Sequence, residues 1–171
     1  MVTYKKMADD LKLEILEILS ENAKTDISDI EKMTGADREE IKAAIAELED
    51  KKAIIKYVAI VNNEAVDSNN MVEALIEVKV TPQRDYGYDD LAKRIYKFPE
   101  VKSVYLMAGS YDLAVRIESE DIKSISRFVF EKLAVIDGVS STVTLFIMRK
   151  YKENGVILVD DEKDERLVIS P

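Results

Sequence analysis

The stretch VKSVYLMAGSYDLAVRIE, residues 101–118, decides the fold. Residues 101–108 and 111–118 are rich in β-branched and aromatic side chains and read as strands. They meet at Gly109-Ser110, the signal of a two-residue hairpin. Upstream, residues 71–80 (MVEALIEVKV) alternate: Val72, Ala74, Ile76, Val78 and Val80 face one way, Glu73, Glu77 and Lys79 the other. That period predicts a half-buried strand, ended by Thr81-Pro82. Tyr88, Leu91, Ile95 and Phe98 follow at helical spacing. Downstream, Asp121 caps a helix with Ile122, Ile125, Val129 and Leu133 inward, and residues 139–148 (VSSTVTLFIM) form a fourth strand. The order βαββαβ is the ferredoxin-like split arrangement, with both helices on one face of an antiparallel sheet. A weak internal repeat supports it: Phe98-Pro99-Glu100-Val101-Lys102-Ser103 leads helix into strand, and Ile136-Asp137-Gly138-Val139-Ser140-Ser141 does so again. The other sheet face, expected to carry Leu75, Leu106 and Phe146, needs solvent or a partner, so the chain is expected to self-associate.

The first sixty residues have a different period. Leu11, Ile15, Ile18 and Leu19 define an amphipathic helix from about Ala8 to Asn22. Thr25 or Asp26 can cap a short second helix carrying Ile27, Ile30 and Met33, which Gly35 closes. Asp37 and Glu40 form a capping-box variant that starts a third helix, with Ile41, Ile45 and Leu48 on its inner face. Residues 53–61 (AIIKYVAIV) are β-branched and predict a short strand pair, so the layout is a winged helix-turn-helix. The fold class is α+β. The expected domains are a winged helix-turn-helix (1–61), a polar linker (62–70), a ferredoxin-like domain (71–150) and an acidic tail (151–171). The tail forms either a small hairpin or exchanged strand, or a frayed end.

Composition narrows the chemistry. The 171 residues contain no Cys and no His, which leaves out disulfides, thiolate or imidazole metal sites, and Ser-His or Cys-His nucleophiles. No catalytic residue, metal site or cofactor is expected. No apolar run is long enough to span a bilayer, and the N-terminus has charges where a secretory signal needs an apolar stretch, so the expected location is cytoplasmic. The net charge is −9, whereas a DNA-binding module is ordinarily basic.

Several segments resemble the Lrp/AsnC regulators: residues 9–19 (DDLKLEILEIL), Ile45-Ala46-Glu47-Leu48-Glu49, and Ile54-Ile55-Lys56-Tyr57. The resemblance strengthens in ALIEVKVTPQRD, RIYKFPEVKSVYLMAGSYDLAV and FVFEKLAVIDGVSSTVTLFIMRKYK. It covers residues 8–153 and is most specific at Met107-Ala108-Gly109-Ser110-Tyr111-Asp112. It implies a transcription regulator whose winged domain binds double-stranded DNA. It also implies a ferredoxin-like domain that forms dimers and then octamers, with a small amino acid bound between dimers. The chain departs from the family pattern in an unusually acidic recognition helix, and in Ala53 where Gly is usual.

Two sets of site residues follow. Arg38 and Lys42, one turn apart on the third helix, can reach bases or phosphates, and Lys51, Lys52 and Lys56 can hold backbone phosphates. Glu39 and Glu47 oppose phosphate but can accept from a cytosine amine. In the second set, Gly109 exposes amide donors suited to a carboxylate, and Asp112 can pair with an α-ammonium, together a clamp for a zwitterion. An ordinary hairpin with an Asx-type turn accounts for the same two residues. Ser140, Thr142 and Thr144 can add hydroxyls, or simply reflect β-propensity. Two rival functions compete with the regulator: a metabolite-sensing assembly or co-regulator protein that no longer binds DNA, and a tetrapyrrole decarboxylase of similar architecture. The lack of His opposes the decarboxylase.

Overall fold

The computed structural model describes residues 2–66, 71–81 and 87–159. Pro82, the end of the linker (67–70) and the tail beyond residue 159 lie outside them. The chain divides into two compact units, Met1–Ala59 and Ile60–Pro171.

The first unit holds α1 (Val2–Glu21), α2 (Ile27–Thr34) and α3 (Arg38–Asp50). α1 starts earlier than its apolar repeat. The helices close around Ile15, Ile30, Ile41, Ala44 and Leu48. Gly35 ends α2 in the left-handed region (φ 70°), its N–H donating to the Glu31 carbonyl, where a side chain would be strained. Asp26 and Asp37 take the N-cap positions, yet neither side chain makes a cap hydrogen bond. The capping box at Asp37 and Glu40 is therefore not formed. The acidic first turn of α3 still complements the helix dipole.

The expected wing strands are absent among the described residues. Residues 53–54 bend and 55–61 take part in no strand ladder, and Ile55, Val58 and Val61 are exposed. One run with no return strand cannot form a ladder, and even a lone two-stranded ribbon is marginal.

The second unit is the split βαβ arrangement. β1 (Val72–Val80), α4 (Tyr88–Ile95), β2 (Val101–Leu106), β3 (Leu113–Ser119), α5 (Ile122–Phe128), a π-helical turn (Val129–Leu133) and β4 (Val139–Ile147) follow in chain order. The sheet order is β2-β3-β1-β4, with every pairing antiparallel. Asp121 caps α5 by accepting the Ser124 N–H at 2.7 Å. The internal repeat is visible in the backbone: Val101 donates to the Phe98 carbonyl, and Val139 to that of Ile136, each at 3.0 Å.

One sheet face packs Ala74, Ile76, Val78, Leu113, Val115 and Ile117 against Leu91, Ile95, Ile125, Phe128 and Leu133. Phe98, past the end of α4, meets Phe128 edge-on at 5.4 Å. Ile122 is exposed rather than inward, since it opens the first turn of α5.

Register corrects the reading of the open face. Leu106 pairs with Leu113 and Phe146 with Ala74. Directly opposed residues share a face, so both lie on the helix side. Of the three residues expected on the open face, Leu75 alone is there, opposite Leu145 and Arg116. Tyr105, Val143 and Ile147 share that face, opposite Ala114, Glu77 and Glu73.

A small hairpin opens the tail; the expected pairing of residues 155–159 (GVILV) with 166–170 (RLVIS) involves residues outside the described ones. β5 (Lys152–Glu153) and β6 (Val156–Ile157) join through Asn154 and Gly155, both at positive φ (45° and 86°), as a tight hairpin turn requires.

Candidate nucleic-acid interface and effector loop

The turn between α2 and α3 is held by Thr34, whose hydroxyl donates to the Ile30 carbonyl at 2.8 Å and accepts the Ala36 N–H at 3.2 Å. α3 buries Ile41, Ala44 and Leu48. Its opposite side therefore presents Glu39, Ala43 and Ala46, with Lys42 beside them, all exposed.

Most charges on this helix already have partners. Lys42 pairs with Glu39 at 2.8 Å, and Arg38 approaches Glu31 of α2 at 3.8 Å. Glu47 binds Lys51 and, at 2.6 Å, Lys12 of α1. Those two lysines hold the Glu47 carboxyl down to about 2, and Lys42 lowers that of Glu39. Glu47 thus links α1 and α3. Tyr57 donates its hydroxyl to Glu49 at 2.9 Å. Burial first, and then that carboxylate, raise the phenol above its ordinary value.

Lys52 carries an unforeseen burden. α3 ends in a Schellman motif: the Lys52 N–H donates to Glu49 and the Ala53 N–H to Leu48. The left-handed residue is Lys52 (φ 58°), not Ala53. The substitution at Ala53 therefore meets no positive-φ requirement. Lys52→Gly should raise helical-unit stability by about 1 kcal/mol, because a side chain in this region is penalised by roughly that much. Ala53→Gly should not. Chemical denaturation followed by far-ultraviolet dichroism separates the two.

In the second unit the expected two-residue hairpin is a six-residue loop, 107–112. Met107 donates to the Asp112 carbonyl at 2.8 Å across its mouth. The bend is spread over several residues, so Gly109 needs no left-handed conformation and is absent from the positive-φ glycines. A Cβ there would meet nothing within 4 Å. Met107, Ala108, Gly109 and Ser110 are exposed, and Tyr111 and Asp112 half-buried.

Asp112 is already engaged. Its Oδ2 accepts the Val80 N–H at 2.8 Å and lies 3.3 Å from Lys79 Nζ, while its own N–H donates to the Val78 carbonyl. The carboxylate thus fastens the loop to the end of β1, which removes it as a free partner for an ammonium. Ser140 joins the same corner, its hydroxyl donating to the Lys79 carbonyl at 3.1 Å. Thr142 and Thr144 lie opposite Val78 and Ile76 on the helix side of edge strand β4, half-buried.

The Val80 N–H, and then Lys79, hold the Asp112 carboxyl below its ordinary value. A depressed folded value contributes stability above the unfolded value, about 3.9, and that contribution is lost as pH falls through the folded one. Asp112→Asn keeps an acceptor but not the charge. Wild type should unfold at higher temperature than Asp112→Asn at pH 6, and the gap should close as pH falls below the unfolded value of about 3.9. A gap independent of pH would mean that the charge is not what matters.

The sequence reading missed a charge cluster on the open sheet face. Arg116 on β3 reaches Glu153 at 2.8 Å and Glu73 on β1 at 3.9 Å, and Lys150 binds Glu73. Glu73 Oε2 and Arg116 Nε are buried without a hydrogen-bond partner. The signal was available, since oppositely charged residues fall on the polar phases of β1 and β3. A cavity of about 110 Å³ nearby is lined by Val61, Asn62, Asn63, Glu73, Ile147, Met148, Arg149, Lys150 and Leu158 and shares no residue with loop 107–112.

Residues 73–157 match the family model described as the Lrp/AsnC ligand binding domain. The chain is similar to the HTH-type transcriptional regulator YugG of Bacillus subtilis, 48% identical over 158 residues spanning 92% of this chain and 95% of that one. It is 32% identical over 145 residues to the HTH-type transcriptional regulator FL11 of Pyrococcus furiosus, spanning 85% and 92%. Among solved structures, a Neisseria meningitidis transcriptional regulator in complex with L-methionine superposes with TM-score 0.66 at 24% identity, covering 84% of this chain and 91% of that one. Escherichia coli AsnC does so with 0.64 at 20%, covering 84% and 94%. At these identities the structural likeness establishes the fold.

Proposed function

This chain belongs to the Lrp/AsnC family of transcription regulators, and from that premise we propose that it binds double-stranded DNA through α2 and α3 and responds to an amino acid held at loop 107–112. It is a regulator, not an enzyme. The observation that carries the DNA reading is the tight α2–α3 turn, which leaves Glu39, Lys42, Ala43 and Ala46 outward on the second helix of the motif. That is the surface a helix-turn-helix lays in the major groove. Arg38, Lys51, Lys52 and Lys56 flank it and supply phosphate contacts.

On the effector side, the exposed backbone of residues 107–111 offers amides to a carboxylate, and the corner of Ser140, Thr142 and Thr144 offers hydroxyls. Asp112 positions the loop. Methionine is the natural first probe, given the related structure solved with it. A second copy covering the open sheet face would bury Tyr105, Val143 and Leu145 and bring new partners to Glu73 and Arg116. Dimers formed in this way would assemble further, to octamers, with amino acid between dimers. Ligand would act by favouring one assembly and so one spacing of DNA-binding units, each weak alone and effective together. The site of action is the cytoplasm.

The experiment is a thermal-shift and calorimetric screen of the twenty amino acids, with light scattering and with duplex binding at low salt. Expected are an amino-acid hit, a mass at or above twice 19.4 kDa at micromolar concentration, and salt-sensitive DNA binding that changes with the hit. A clean monomer that binds no amino acid would sink the effector reading, and no duplex binding at low salt would sink the DNA reading.

A further inference from the structure

Glu39 is the acid at the N-terminal end of the outward side of α3. Glu47 is held by Lys12 and Lys51, and Glu49 accepts from Tyr57, so both point at donors within the unit. The only described partner of Glu39 is Lys42, at 2.8 Å, on the same outward side one turn along. The Glu39 side chain is 75% exposed. It starts the row Glu39, Ala43, Ala46, spaced i, i+4, i+7, on the side opposite the buried Ile41, Ala44 and Leu48.

A carboxylate at the head of a recognition helix meets phosphates on both sides of the groove, which repel it. The groups that suit it are donors on base edges. Guanine and thymine offer acceptors there, and adenine sets its amino group beside the N7 acceptor. Cytosine offers the N4 amino group alone. The guanine across that pair presents O6 and N7, which suit an ammonium. One C·G pair therefore matches a carboxylate and an ammonium already held side by side. Ala43 and Ala46 suit thymine methyl groups.

We infer that Glu39 is a specificity-determining residue that reads the cytosine of a C·G pair, with Lys42 on its guanine and Ala43 and Ala46 on neighbouring thymines. The inference rests on the DNA-binding reading and deepens it. The test is selection from a pool of randomised duplexes at low salt with wild type, Glu39→Gln and Glu40→Gln, with helical content checked by circular dichroism. Wild type should enrich one fixed C·G pair per half-site. Glu39→Gln should move that position from cytosine to adenine, which glutamine contacts through N6 and N7, with a change in preference of roughly tenfold. Glu40→Gln, off the row, should leave the preference unchanged. Enrichment of the same sequences by Glu39→Gln, at equal or uniformly higher affinity, overturns the assignment and makes Glu39 only the partner of Lys42. If wild type binds duplex but enriches no sequence above the starting pool, this assignment is overturned while the DNA-binding reading stands; if it binds no duplex, both fail.

Discussion

Changing Lys51 and Lys52 together to glutamate should lower affinity for every duplex alike, by about 60-fold at 0.1 M salt relative to 1 M. The figure follows from counterion release: each lost phosphate contact removes about 0.9 from the slope of log affinity against log salt, and two contacts are lost. The salt slope should therefore become shallower by about 1.8. Both lysines follow the last turn of α3 and should meet backbone rather than bases, so the rank order of duplexes should not change. Lys51→Glu also sets a like charge four residues from Glu47, which costs a few tenths of a kcal/mol in helix stability. The neutral pair Lys51→Gln with Lys52→Gln removes that complication and should show the same slope change with a smaller loss. Titration of two unrelated duplexes across a salt series reads all of this. A loss confined to one sequence would show that the lysines read bases.

Ile41→Ala should destabilise the helical unit by about 3 kcal/mol. Ile41 is fully buried, and among the described residues that unit's core has four other buried residues, Ile15, Ile30, Ala44 and Leu48. Truncating a buried isoleucine to alanine costs about 2–5 kcal/mol, through lost transfer energy and the cavity left behind. A unit of this size has little stability in reserve, so DNA binding should be lost near 37 °C. The second unit has its own core, built from β1, β3, α4 and α5, so amino-acid binding should persist. Circular dichroism melting with calorimetric titration of the amino-acid hit tests the pair of outcomes. Loss of both functions at once would mean that the two cores do not melt independently.

Much of the fold was legible because local periodicity is a property of the backbone. The alternation in 72–80 and the i, i+4, i+7 spacing of Leu11, Ile15 and Ile18 each admit one kind of element. The repeated Phe98 and Ile136 turns announced two equivalent halves. Gly35 was readable as a helix end because few other residues tolerate its left-handed conformation. What the sequence alone could not determine depends on partners distant along the chain. Leu106 and Phe146 alternate correctly within their strands, but their face is set by Leu113 and Ala74 across the ladder, and a one-residue change of register reverses it. Asp112 reads as a free turn carboxylate until Val80, 32 residues away, donates to it. Lys52 carries the left-handed conformation because the Schellman bonds to Leu48 and Glu49 put it there, although the family pattern drew attention to Ala53. Residues 53–61 have strand propensity without a strand partner, and a ladder needs both. The order and identity of elements were thus set locally by the sequence. Side-chain facing, carboxylate use and the reach of the charged groups were decided by tertiary structure, because each is a relation between segments whose separation in space no local pattern encodes.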